Sequence, residues 1–187
     1  ECGKDDVVVR VKSTSLNYHD IFTRNGMPGI KISMPMICGL DVAGEIAELG
    51  ANVSGWKIGE RVLIDPRNRV EGGLVGETIH GGLAEYCRVK EHQLVRIPDG
   101  VSFDQASSLP VAYGTAHRMM MTIGQVTSGD KILILGASGG VGTGALLLAK
   151  MAGAEVVVCA SSDSKMEKLK SLGADHAMTY MNNEFHK

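Results

Sequence analysis

Seven residues, Gly136-Ala137-Ser138-Gly139-Gly140-Val141-Gly142, stand between an unbroken apolar run, Lys131 to Leu135, and a stretch from Val141 to Met151 whose apolar residues recur at helical spacing. An apolar run without alternation reads as a parallel strand buried on both faces. Parallel neighbours need a crossover of a dozen or more residues, ordinarily a helix, and the sequence supplies one. The helix stops at Gly153, and Glu155 to Cys159 forms a second buried strand around Val156, Val157 and Val158. A further helix, capped by Ser161 or Ser162, carries Met166, Leu169 and Leu172 on one face and ends at Gly173. His176 to Tyr180 begins a third strand. This order predicts half of a doubly wound α/β sheet.

Earlier in the chain the texture differs. Val7 to Val11, Val42 to Leu49, Arg61 to Ile64, Leu83 to Val89 and Gln93 to Ile97 read as short strands punctuated by glycine, the pattern of a small barrel or sandwich. Pro98-Asp99-Gly100 ends the series with turn chemistry. Ser102 is placed to cap a short helix from Phe103 to Ser108, and a longer helix from about Ala112 to Ile123 is expected to bridge two domains, residues 1–111 and 112–187.

Composition excludes several classes of partner. With 19 basic and 21 acidic residues and a formal charge of -2, the chain offers no field that would attract nucleic acid or an anionic membrane. No apolar stretch approaches the roughly 20 residues needed to span a bilayer, so a cytoplasmic location is the default expectation. The four cysteines, Cys2, Cys38, Cys87 and Cys159, form no CxxC pair and read as isolated reduced thiols.

Between a strand and a helix, the glycine loop is a dinucleotide-binding fingerprint. Gly139 lets the backbone approach a pyrophosphate, Gly142 lets helix and strand pack closely, and the helix N-terminus presents unpaired N–H groups with a positive dipole end. Ala137 stands where a glycine is usual and fits only if its φ stays negative. At the end of the second strand, where NAD-selective folds place an acid, stands Ala160, followed by Ser161, Ser162 and Lys165 as donors suited to a 2′-phosphate. NADP is therefore the expected cofactor.

Ser15-Leu16-Asn17-Tyr18-His19-Asp20, Cys38-Gly39-Leu40-Asp41-Val42-Ala43-Gly44, Gly59-Glu60-Arg61-Val62, Gly81-Gly82-Leu83-Ala84-Glu85-Tyr86, Leu109-Pro110 and the glycine loop, in this order and spacing, resemble the medium-chain dehydrogenase/reductase superfamily. That superfamily includes zinc alcohol dehydrogenases and zinc-free quinone oxidoreductases. The resemblance implies an α/β protein: a GroES-like β-barrel catalytic domain over 1–111, its N-terminal strand truncated, then the first half of a Rossmann domain over 112–187, with the active site in the cleft between. It further implies a homo-oligomer when complete, and a chain that, lacking the later βα units, binds NADPH weakly and transfers no hydride alone.

The resemblance also bears on metal. Asn17, Leu40 and Val111 occupy the positions at which zinc members carry their catalytic ligands, and no cysteine lies between Asp65 and Gly82, where the structural zinc lobe falls. Leucine and valine cannot ligate, so no metal is expected; irregular ligation would have to recruit His19, Cys38, Asp41 or His80. By the same resemblance Asn17 and Tyr18 face nicotinamide and substrate, Thr115 lies against the nicotinamide ring, and Lys165 and Tyr180 contact the 2′-phosphate. Tyr18 as a core aromatic and Asn17 as a turn former are the bland alternatives. Asp20 and Asp41 are expected to hold backbone rather than act as acids. The implied activity is zinc-independent hydride transfer from NADPH to a quinone, enone or related small-molecule carbonyl. The alternatives are an alcohol dehydrogenase-type enzyme and a non-catalytic relative that binds NADPH.

Overall fold

Along Asp6–Ser15 (β1) the side chains of Val7 and Val9 are fully buried while Val8 and Arg10 between and beyond them are not, the alternation of a strand with one face on a core. In a computed structural model of the chain, which describes residues 1–26, 28–29 and 31–180, β1 pairs antiparallel with Asp41–Leu49 (β2) and with Tyr86–Lys90 (β4). Arg61–Ile64 (β3) and Leu94–Arg96 (β5) complete the order β4-β1-β2-β3-β5. The two edge strands, β4 and β5, are separated in sequence by only the 3₁₀ turn Glu91–Gln93, so the sheet must curl to bring its edges together. Val7, Val9, Val42, Ile46, Val62, Ile64, Cys87 and Val89 fill the inside. On the outside Ala43 packs with Ile97 and with Ala106 of Phe103–Ser107 (α2). That helix begins at Ser102, whose Oγ accepts the Gln105 N–H at 3.1 Å while Gln105 Oε1 accepts the Ser102 N–H at 2.9 Å.

Two details of this unit, Glu1–Val111, depart from expectation. Strand β4 starts at Tyr86 rather than Leu83, because the N–H groups of Gly82 and Leu83 bond the carbonyls of Gly39 and Cys38 instead of joining the sheet. Tyr18–Asn25 forms a helix (α1) that periodicity does not reveal.

The second unit, Ala112–Lys187, carries the parallel strands Lys131–Ile134 (β6), Glu155–Ala160 (β7) and His176–Thr179 (β8) in that order. Ala112–His117 (α3), Gly140–Met151 (α4) and Asp163–Ser171 (α5) supply its helices. Ala116, Ala145, Leu146, Ala149 and Leu169 pack against Ile134, Val156 and Val158. The expected burial of β6 on both faces is not found: Leu133 is 55% and Leu135 63% exposed, since the helices that bury Ile134 lie on the opposite face of the strand. Nor is 112–123 one α-helix. From Arg118 to Ile123 it widens to a π-helical turn, in which the Gly124 N–H closes on the Met119 carbonyl five residues back at 2.8 Å. Among the described residues no helix is long and apolar enough to cross a membrane.

Candidate functional site

The glycine loop leaves β6 through Gly136, whose φ of 63° suits glycine. Ala137 is fully buried and stays out of the left-handed region, meeting the condition set on it. Its N–H bonds the Cys159 carbonyl at 3.1 Å, which ties the loop to β7. A Cβ on Gly142 would lie 2.6 Å from Ala137 Cα and 2.8 Å from the Gly136 oxygen, so only glycine lets the first turn of α4 approach the end of β6 this closely. Gly139, in extended backbone, is the N-cap of α4. The N–H groups of Gly140, Val141 and Gly142 thus begin a helix of 12 residues without intrahelical partners and offer an anion a cradle of donors beside Ser138, which is exposed. These residues fit a dinucleotide diphosphate.

One strand further on, Ala160 is paired with Thr179. The next residues on the two strands are Ser161 and Tyr180, so they emerge at the same end of the sheet. Lys165 Nζ donates to Ser161 Oγ at 3.1 Å. Ser162 is the N-cap of α5 but makes no side-chain cap bond; its hydroxyl lies 3.4 Å from that of Ser164. The Lys165–Ser161 pair thus stands at the end of a strand with no carboxylate at position 160, and the half-exposed Tyr180 follows the neighbouring strand at the same end of the sheet. Thr115 is exposed on α3, the helix that meets Gly144 of α4 through Tyr113 and Ala116.

In the first unit the start of α1 organises a polar cluster. Asp20 Oδ2 accepts the Asn17 N–H at 2.8 Å, and Oδ1 accepts the Gly39 N–H at 2.9 Å. The Asn17 carboxamide turns to Asp41: its Nδ2 donates to Oδ2 at 2.8 Å, where the Ser15 hydroxyl also donates at 2.6 Å. Asp41 Oδ1 accepts the Val111 N–H at 2.9 Å. Both carboxylates hold backbone, as expected of them. Asp41 is 1% exposed; burial pushes its carboxyl above the usual range, and the Ser15, Asn17 and Val111 donors pull it back.

Asn17 and Tyr18 share the wall of a cavity of about 500 Å³, completed by Leu16, Ile21, Leu83 and Cys38 with Asp20 and Arg24. Tyr18 is 78% exposed and stands 6.3 Å, ring to ring, from Phe22. It is no core aromatic.

The donor set does not fit a zinc ion. Leu40 and Val111 have nothing to donate, and the Asp41 oxygens already carry three hydrogen bonds. His19 Nε2 lies 2.5 Å from Glu77 Oε2, and His80 Nδ1 accepts the Ile37 N–H at 3.2 Å. Among the described residues no three His, Cys, Asp or Glu side chains converge. Sequence reasoning missed Glu77 and Val111 as partners. It also missed α1, although Asn17 and Asp20 have the spacing of a capping box.

Comparison with known proteins identifies the family. Residues 3–99 match the model of the alcohol dehydrogenase GroES-like domain, and residues 140–187 that of the zinc-binding dehydrogenase. The chain is 38% identical over 184 residues to 2-methylene-furan-3-one reductase of Solanum lycopersicum, covering 97% of this chain and 46% of the relative. It is 36% identical over 182 residues to a chloroplastic NADPH-dependent alkenal/one oxidoreductase of Arabidopsis thaliana, covering 96% and 46%. A solved NAD-dependent alcohol dehydrogenase superposes with a TM-score of 0.90 at 33% identity, over 96% of this chain and 57% of that one. The chain spans about half the length of the curated relatives it matches.

Proposed function

The chain belongs to the medium-chain dehydrogenase/reductase superfamily, and from that membership we propose that it is part of an NADPH-dependent, zinc-independent reductase of enones, quinones or related small carbonyls. The observation that carries the reading is the Lys165–Ser161 pair, with Tyr180 at the same end of the sheet, at a strand end that has alanine where an acid would repel a 2′-phosphate. The diphosphate is assigned to the N–H groups of Gly140, Val141 and Gly142, with Ser138 beside them. Bound NADPH would supply the hydride.

The remaining work falls to the chain's own side chains. Without a Lewis acid, the carbonyl oxygen must be held and polarised by hydrogen-bond donors, and Asn17 and Tyr18, which line an otherwise largely apolar cavity, are assigned that role. Leu16, Ile21 and Leu83 offer an apolar wall to the body of the substrate. Thr115 is assigned to the nicotinamide ring. Two relatives support the carbonyl class by name, one a furanone reductase and the other an NADPH-dependent alkenal/one oxidoreductase.

The test is calorimetric titration of the full-length protein with NADPH and NADH, followed by turnover on matched enone, quinone and alcohol panels and elemental analysis. Tighter NADPH binding, enone or quinone reduction and sub-stoichiometric zinc are expected. A second reading, oxidation of an alcohol, draws on the likeness to the solved NAD-dependent alcohol dehydrogenase. Stoichiometric zinc together with alcohol turnover would establish it instead.

A further inference from the structure

A carboxamide has two unlike ends: Nδ2 donates and Oδ1 accepts. Opposite Asn17 stands Asp41 Oδ2, which as a carboxylate oxygen only accepts. Turning the amide over would set two acceptors face to face beside the buried Asp41 and take from its Oδ2 one of its two donors, so the orientation with Nδ2 toward Asp41 is strongly held. The atoms of Asn17 that remain for a ligand are its Oδ1 and its second N–H, and Asn17 lines the cavity while Asp41 does not.

Asp41 is itself immobilised from several sides. It opens β2, whose next residues Val42 and Ala43 are fully buried. Its Oδ2 also receives the Ser15 hydroxyl at the end of β1, and its Oδ1 receives the N–H of Val111, 70 residues along the chain and immediately before α3. A charge taken out of water and met by three donors is a costly arrangement unless its geometry is kept. The backbone of Asn17 is pinned separately by Asp20, so the side-chain torsions are what Asp41 controls.

We infer that Asp41 is a positioning residue: its carboxylate fixes the Asn17 carboxamide with Nδ2 inward, so that the second N–H is held ready to donate to the substrate carbonyl. The effect on turnover rests on the reductase reading above; the orientation does not. In Asp41→Asn the new amide can keep the Val111 bond through its oxygen, but its NH₂ then faces Asn17, which must turn over and offer Oδ1.

Two measurements test this. The first is side-chain amide NMR on the 187-residue chain, with the Asn17 signal identified by its loss in Asn17→Ala. A widely split, slowly exchanging Asn17 pair is expected, and a pair at the free-amide position overturns the inference whatever the activity. The second is a double-mutant cycle in the full-length protein. Asp41→Asn is expected to lower kcat by about 10-fold or more with the KM for NADPH unchanged, and Asp41→Asn with Asn17→Ala should be no slower than Asn17→Ala alone. Losses that multiply would mean that Asp41 acts on stability rather than through Asn17, and would overturn the inference. If unmutated protein reduces no carbonyl, the reductase reading falls and the NMR readout decides the orientation by itself; it does so equally if Asp41→Asn fails to fold.

Discussion

Lys165 Nζ lies 3.1 Å from Ser161 Oγ, across the first turn of α5 and at the open end of β7. An exposed ammonium held against a hydroxyl is preorganised for a dianionic group, and charge-assisted hydrogen bonds of this kind contribute about 1.5–3 kcal/mol each. Lys165→Ala is therefore expected to weaken NADPH binding by about 10-fold or more and to leave NADH within about twofold. Ala160→Asp should go further and reverse the preference, because an acid there accepts from a ribose 2′-hydroxyl and repels a phosphate. Titrations of both variants with both nucleotides check this, and equal affinities of the unmutated protein for the two would count against the assignment.

Gly142 has no room for a side chain. Its Cβ would meet Ala137 Cα at 2.6 Å and the Gly136 oxygen at 2.8 Å, both backbone atoms that cannot swing aside. Gly142→Ala should push α4 away from the end of β6, costing about 1–3 kcal/mol of stability, the range for overpacking. Dinucleotide affinity should fall more than the melting temperature suggests, because the displaced N–H groups are those assigned to the diphosphate. Thermal melting with nucleotide titration separates the two effects.

Leu146 on α4 is fully buried among Ala145, Ala149, Val156 and Val158. Leu146→Ala leaves a cavity that small neighbours cannot refill and should cost about 2–5 kcal/mol. Denaturant titration should register the loss. A cost below about 1 kcal/mol would mean that the unit is loosely packed.

Asp6 joins β1 to β4. The Lys90 hydrogen bond at 2.8 Å is the largest influence lowering its carboxyl below the usual range, against a smaller upward push from burial. A native value below the unfolded one, which lies near 3.9, means that the ion pair adds stability above about pH 4 and that this is lost as pH falls through the native value. The contribution should not exceed about 1 kcal/mol for a pair with solvent access. Asp6→Asn should thus be slightly less stable than the parent at pH 7, and the difference should be smaller near pH 3. Urea midpoints at the two pH values measure the difference.

Much of the second unit is legible without coordinates because its signals are local. The apolar run at 131–135, the glycine loop and the helical spacing after it lie within one βαβ unit, and the structure returns the strands and helices in that order with small shifts at their ends. Ser102 and Gln105 announce α2 in the same way, three residues apart. Burial of β6 on both faces was not determined locally, since a face is covered only if other elements lie on it. The polar cluster depends still more on tertiary structure. Asp41 meets Ser15, Asn17 and Val111 from 26, 24 and 70 residues away, and His19 meets Glu77 from 58. Those separations are closed by the pairing and curl of the β1–β5 sheet. Sequence alone determined that Asp20 and Asp41, as buried acids, would need backbone donors; only the fold decided which N–H groups those would be and which way the Asn17 carboxamide would turn, because a hydrogen bond has a partner and a direction only once the chain has brought both atoms within 3 Å.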